Sequence, residues 1–165
     1  MANEKNNSDG LTLTRVLNAS RETVYRAFTD PAQFVQWWPP KDFENKVFSF
    51  DLKQGGYCHF GMFMKDFSMY ARFDFIEIVP PEKIIFTSVF TNEHAEPVRN
   101  PMDAGWPMEM LHVLLLSEEK GKTTLTLNVS AHNATEAEKA VFAEGFDSMR
   151  GGYGSSFDEL EKLIS

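Results

Sequence analysis

The chain has 165 residues, the length of one ordinary domain, and can bury roughly 70% of its unfolded surface around one core. A net charge of −8 argues against nucleic acid and anionic membrane surfaces as partners. The single cysteine, Cys58, excludes an internal disulfide, and the polar first ten residues lack the apolar stretch of a signal peptide, so the chain reads as a soluble cytoplasmic protein. Fifteen Phe and eight Met exceed what a sheet and a few helices need to close, which suggests a large apolar interior or a lined cavity.

Residues 1–10 read as a frayed tail, and Leu11–Leu17 alternates at period two as a strand. Ser20 is placed to cap a short helix with Val24, Tyr25 and Phe28 on one face. Asp30-Pro31, with Gln33 three residues beyond the cap, predicts a capping box at the start of a second short helix. That helix carries Phe34, Trp37 and Trp38 and stops at Pro39-Pro40. Strands follow at 46–53, 57–64, 68–79 and 84–90, with a turn at Gly55-Gly56 and irregular alternation in the third that implies a bulge. Residues 92–107, with Pro97, Pro101 and Pro107, form one long loop. Strands at 109–116 and 123–131 close the series, the latter with Leu125, Leu127, Val129 and Ala131 facing inward.

Thr135 and Glu138 form a second capping box. Beyond it Phe142, Phe146, Met149, Tyr153, Phe157, Leu160 and Ile164 trace one apolar stripe on a long helix. Gly145, Gly151, Gly152 and Gly154 interrupt that helix at about 1 kcal/mol each relative to Ala. They mark either a break near Gly151-Gly152 or room left beneath Tyr153 and Phe146. Six successive strands and one covering helix give an α+β fold with an antiparallel sheet.

Catalytic patterns are absent from the sequence. There is no HExxH, no paired Cys, no nucleophile elbow and no carboxylate pair set for acid/base work, so no catalytic residue, metal or cofactor is expected. His59 lies opposite Cys58, Phe60 and Met62 and reads as exposed; His94 falls in the long loop and His132 beside the last turn. His112 differs, because it shares a strand face with Met110, Leu114 and Leu116. Such a histidine is either a satisfied core residue or the polar handle of a ligand cavity. Trp37-Trp38-Pro39 and Trp106-Pro107 are suited either to the rim of the core or to the lip of a pocket.

The run Thr14–Val24, Ala27-Phe28-Thr29-Asp30-Pro31, Trp37-Trp38-Pro39, Phe50–Gly56, Glu77–Ile84 and Gly121-Lys122-Thr123 resembles the helix-grip (START-related, Bet v-like, SRPBCC) superfamily. Within it, the chain is most similar to the branch named for the activator of heat-shock-protein-90 ATPase, over about residues 11 to 164. The resemblance implies a helix-grip domain over residues 11–165: a curved antiparallel sheet of about seven strands wrapped on the long C-terminal helix, with two short helices after the first strand. An apolar cavity would lie between sheet and helix.

By family pattern the inward residues are Cys58, Phe60, Met62, Ile84, Phe86, Met110, His112 and Leu114, with Phe146, Met149 and Tyr153 on the helix. Two departures matter. Gly152-Tyr153 stands where the family often has Gly-Trp, and Phe73 replaces a glycine common in the long strand, which shrinks or reshapes the cavity. The function implied is binding of a small apolar molecule by Trp37, Phe60, Met62, Phe86, Met110, His112, Phe146, Met149 and Tyr153. The expected cavity is roughly 300–1,000 Å³. A chaperone-associated module, contacting the chaperone or a second copy of the chain, is the alternative, and a cyclase- or hydrolase-type enzyme a third. Because no equivalent of the two-domain activator's N-terminal domain is present in this sequence, chaperone activation is expected to be weak.

Overall fold

A computed structural model describes residues 10–39 and 42–164. Residues 1–9 of the expected tail, and Pro40 of the expected helix stop, lie outside the described residues. Gly10, also assigned to the tail, is buried, with the Val129 carbonyl so close that an added Cβ would sit 2.9 Å from it.

The elements run β1 (Leu11–Leu17), α1 (Arg21–Thr29), α2 (Pro31–Trp37), β2 (Glu44–Phe50), β3 (Tyr57–Met64), β4 (Phe67–Val79) and β5 (Lys83–Thr91). They continue with β6 (Glu109–Glu119), β7 (Lys122–His132), α3 (Glu136–Glu144) and α4 (Phe146–Ile164). The strands form one curved antiparallel sheet in the order β1-β7-β6-β5-β4-β3-β2. Consecutive strands from β2 to β7 are neighbours, joined by short turns except between β5 and β6, where residues 92–108 form the long loop. The two-residue turn between β6 and β7 puts Lys120 at φ 53° and Gly121 at φ 78°, both in the left-handed region that favours such a hairpin.

Local sequence explains the helix starts. Ser20 Oγ accepts from the Thr23 amide at 3.2 Å, and Thr135 with Glu138 closes both bonds of its capping box, at 3.1 and 3.0 Å. At Asp30 the expected box is replaced. The Asp30 amide already donates to the Arg26 carbonyl as the end of α1, so Gln33 instead donates from its side chain to Asp30 Oδ2. The Asp30 carboxylate itself caps the Ala32 amide at 3.0 Å. The strand expected at 46–53 is shifted to 44–50, because Asp51 to Gly56 fold into a hydrogen-bonded turn: Lys53 donates to Asp51 and Gly56 to Lys53. The bulge implied in the long strand sits at Ile76, between the paired residues Phe75 and Glu77.

Leu125, Leu127 and Val129 are fully buried and share one core with Phe142, Phe146, Phe157 and Leu160; Met149, Tyr153 and Ile164 pack at its margin. The stripe therefore faces the sheet. Arg15 of β1 clamps the far end of α4, with Nη1 3.0 Å from Asp158 and 2.7 Å from Glu161.

The C-terminal helix is not continuous. It breaks at Gly145, not at Gly151-Gly152, because the Trp106 ring rests against that backbone: a Cβ on Gly145 would meet Trp106 Cζ3 at 2.8 Å and Cη2 at 2.9 Å. Gly151 and Gly152 lie within α4, exposed, with open space where a Cβ would be. The room they leave is on the solvent side.

The outer face corrects the reading of His59. It is 5% exposed, covered by Phe48 at 5.3 Å and stacked with Tyr70 at 6.1 Å, and its Nε2 is 3.1 Å from Thr91 Oγ1. Burial lowers its pKa; the Asn92 backbone opposes the shift and Arg72 adds to it. Gly61 permits this covering, since a Cβ there would strike Phe63 Cζ at 2.7 Å and touch Phe48 at 3.0 Å.

The two kinds of glycine respond oppositely to substitution. Gly145→Ala forces the Trp106 ring to move and is expected to cost roughly 1 kcal/mol or more. Gly151→Ala meets nothing and gains helix propensity, stabilising by about 0.5–1 kcal/mol. Thermal and urea unfolding of the two variants check the pair; equal shifts would contradict the break at Gly145.

Candidate functional site

Strand register assembles the site. Phe60 pairs with Ala71, which pairs with Phe90; Met62 pairs with Met69; Phe73 pairs with Ser88, which pairs with Met110. These rows share the inner face with His112, whose pair is Phe86. They floor a cavity of about 230 Å³, whose roof is Tyr153 of α4 and whose end wall is Trp38-Pro39. The loop after β5 closes the remaining side with Met102, Trp106, Pro107 and Met108. Five of the eight methionines line this space: Met62, Met69, Met102, Met108 and Met110. Among the described lining residues none carries a fixed charge. The volume lies below the expected range. The cause is visible: Phe73 stacks on Phe86 with centroids 4.4 Å apart, and Phe86 lies parallel to His112 at 4.6 Å and 5°.

Polar groups in the wall are few and buried. His112 is 1% exposed, and its Nε2 lies 2.8 Å from the Tyr153 hydroxyl. Its Nδ1 has no hydrogen-bond partner among the described residues. Burial lowers the His112 pKa to about 3, with the nearby Met110 backbone opposing the shift although its geometry does not close a bond to Nδ1. The ring is neutral throughout the physiological range. Burial also raises the Tyr153 pKa, so its hydroxyl keeps its proton. Ser88 is 8% exposed and its Oγ is likewise unpartnered. Neutral imidazole, phenol and hydroxyl in an apolar wall can orient an uncharged ligand by hydrogen bonds.

The loop wall is latched to the helices. Arg99 Nη1 bonds both Glu138 and the Trp106 carbonyl, the latter at 3.3 Å. The Arg99 bond, and then the Thr135 amide, hold the Glu138 carboxyl below its ordinary pKa. One carboxylate thus caps α3 and holds the loop whose Trp106 seats at Gly145.

A second, larger space of about 490 Å³ is an open groove on the other side of Tyr153. Trp37, Trp38 and Pro39 face Met149, Gly152 and Ser156 across it. Ser156 Oγ donates to the Trp38 carbonyl at 3.0 Å, tying α4 to the end of α2.

The structure divides the residues expected at the site. Phe60, Met62, Met110, His112 and Tyr153 meet at the inner cavity, while Trp37 and Met149 line the outer groove. Trp37 is 1% exposed and its indole donates to the Ala27 carbonyl at 2.9 Å, a core role. Phe86 stands behind His112, and Phe146 packs on Phe142 at 5.4 Å; neither lines either space. Trp38, weighed from the sequence as part of a pocket lip but not placed in the binding set, closes the end wall, and Ser88 was missed. Ser88 was within reach of the argument that found His112, since it alternates with Phe86 and Phe90 on one strand face.

Among the described residues no group of three His, Cys, Asp or Glu is placed to hold a metal ion, and no helix is long and apolar enough to cross a membrane.

A curved antiparallel sheet around a C-terminal helix, with an inner cavity, defines the helix-grip class. The sequence profile of the family described as "Activator of Hsp90 ATPase homolog 1-like protein" matches residues 18–165, and the chain belongs to that family. Among solved structures, protein Ms6760 of Mycobacterium smegmatis superposes with a TM-score of 0.77 at 21% identity, covering 98% of this chain and 94% of its own. A Staphylococcus epidermidis protein gives 0.78 at 26%, covering 99% and 93%. CV1439 of Chromobacterium violaceum gives 0.73 at 24%, covering 94% and 96%. No curated protein matches the sequence.

Two expectations follow from the buried titratable groups. The depressed His112 pKa means that the unfolded chain takes up a proton below pH 6.5 that the folded chain refuses until about pH 3. The stability that neutral His112 contributes is complete above pH 6.5 and is lost as pH falls toward 3. Between pH 7 and 4.5 the wild type should lose roughly 2–3 kcal/mol more than His112→Gln, read by urea unfolding at both pH values. Cys58, fully buried and with its thiol pushed up to about 12 by burial, should not react with a thiol reagent at pH 8 until the chain is unfolded.

Proposed function

We propose that this protein binds a small hydrophobic molecule in the cavity between the inner sheet face and α4. The supporting observation is an aromatic- and methionine-lined cavity of about 230 Å³ that holds two buried polar atoms without partners. Native interiors close-pack and pair such atoms, so a cavity that does neither is suited to an occupant. Methionine thioethers are flexible and polarisable, which suits an adaptable apolar lining. Family membership supports a second reading, a chaperone-associated module. Its test is a steady-state ATPase assay of the chaperone with this protein in excess, and a several-fold stimulation would move that reading to first place.

Naphthalene, a neutral fluorescent hydrocarbon, serves as the probe for the cavity. Saturable one-to-one binding is expected. Ala71→Leu, which puts bulk into the inner cavity, should weaken it about tenfold or more. Gly152→Leu, on the outer groove, should leave it unchanged. Absence of saturable binding to the wild type would end the ligand reading, and loss only in Gly152→Leu would move the site to the groove.

A further inference from the structure

We infer that the inner cavity selects an uncharged, planar ring compound through a carbonyl oxygen, which accepts hydrogen bonds from Ser88 and His112. The inference rests on the ligand-binding reading of the same cavity and specifies the chemistry of its occupant.

Proton accounting on the His112–Tyr153 pair gives the donors. A neutral imidazole carries one N–H and one bare nitrogen, and the phenol carries one O–H. If Nε2 donated to the Tyr153 oxygen, two groups would lack partners: the phenol proton and the bare Nδ1. If the phenol donates to Nε2, only Nδ1–H is left over. Buried polar groups are costly to leave unmade, so the second arrangement is favoured. His112 thus offers its Nδ1–H as a donor in the cavity wall.

The second donor is the Ser88 hydroxyl. Ser88 pairs directly with Met110, two residues from His112 on the neighbouring strand, so the two side chains are diagonal neighbours on one face. Diagonal positions in an antiparallel pair are about 7–8 Å apart at their Cα atoms, a span that one oxygen between the side-chain tips can bridge. Both residues are more than nine-tenths buried, both line the cavity, and both carry an unpartnered atom. An oxygen with two lone pairs satisfies them together.

The wall also fixes charge and shape. Among the described lining residues there is no Lys or Arg, so a carboxylate or phosphate would be desolvated without a counter-charge. An ammonium would lack a carboxylate. Trp38, Phe60, Phe73 and Trp106 give flat apolar faces, with thioethers filling between them, which favours a rigid ring over a flexible acyl chain.

Four naphthalenes test this: the parent hydrocarbon, 2-acetylnaphthalene, 2-isopropenylnaphthalene (a CH₂ group replacing the ketone oxygen) and 2-naphthoate. The wild type should bind the ketone roughly fivefold more tightly than its alkene isostere, and 2-naphthoate at least about a hundredfold more weakly. The bound ketone's carbonyl stretch should lie below its position in alkane solvent. Ser88→Ala, which leaves only the His112 donor, should lower the ketone-to-alkene ratio toward one and return part of the stretch; an unchanged ratio and stretch would overturn the Ser88 contact. Equal or reversed preference in the wild type, an unshifted stretch, or tight binding of 2-naphthoate would each overturn the inference while naphthalene binding left the cavity reading standing. If naphthalene and all three derivatives fail to bind, the cavity reading and the inference fall together. Should Ser88→Ala not fold, the wild-type preference and stretch still decide.

Discussion

The hydrogen bond between His112 and Tyr153 sets the spacing between the sheet and the helix that covers it. His112 is fixed from below by its pair Phe86, whose ring lies parallel to it, and Tyr153 reaches down from α4 to its outer nitrogen at 2.8 Å. An apolar contact tolerates sliding, whereas a 2.8 Å bond between buried groups does not, because breaking it leaves two orphaned polar atoms at about 1–3 kcal/mol each. Neutrality is part of the constraint. A charged imidazole in this wall would be unpaired, so burial holds the ring in its neutral form and the phenol in its protonated form. The same condition makes His112 a poor general base.

Cavity size follows from what stands beside that bond. Phe73 projects from β4 into the space next to His112, 6.2 Å from its ring, and Trp38 closes over both, 5.5 Å from Phe73 and 5.9 Å from His112. The result is a dense aromatic half and a looser half lined by methionines and small residues such as Ala71 and Ser88. Rigid rings fix the bottom of the space, and flexible thioethers border the remainder.

How much of this was legible in the sequence depended on whether a residue's neighbours are local. The alternation of Leu125, Leu127 and Val129 and the Thr135–Glu138 box are local patterns, and both appear as expected. The break at Gly145 was not legible, because the apolar stripe keeps helical spacing straight through it; the cause is a ring from a loop some forty residues earlier. His59 failed for a related reason. Alternation correctly put it on the outer face, but outer was equated with wet, and only the register that brings Phe48 and Tyr70 over Gly61 shows otherwise. At the site, His112 and Met110 were found from strand period, whereas Trp37 and Trp38 are adjacent in sequence and no period says which indole enters the core. Met102 and Met108 sit on a loop, where no period exists.

Trp38 and Tyr153 border both the inner cavity and the outer groove, so one pair of rings, 5.6 Å apart and 69° inclined, is the partition between them. Each ring is held from outside the partition: Tyr153 by His112, and Trp38 through its own carbonyl, which accepts from Ser156 on α4. Both anchors lie along the same helix, three residues apart, on Tyr153 and Ser156. The position of α4 therefore governs the wall as well as the roof. That position is set at the helix ends by the Arg15 ion pairs near its C-terminus and by Trp106 against Gly145 at its start. Because Trp106 belongs to the loop lining the inner cavity, the loop and the helix share one contact. Loop wall, roof and partition therefore all bear on α4, through Gly145, Tyr153 and Ser156.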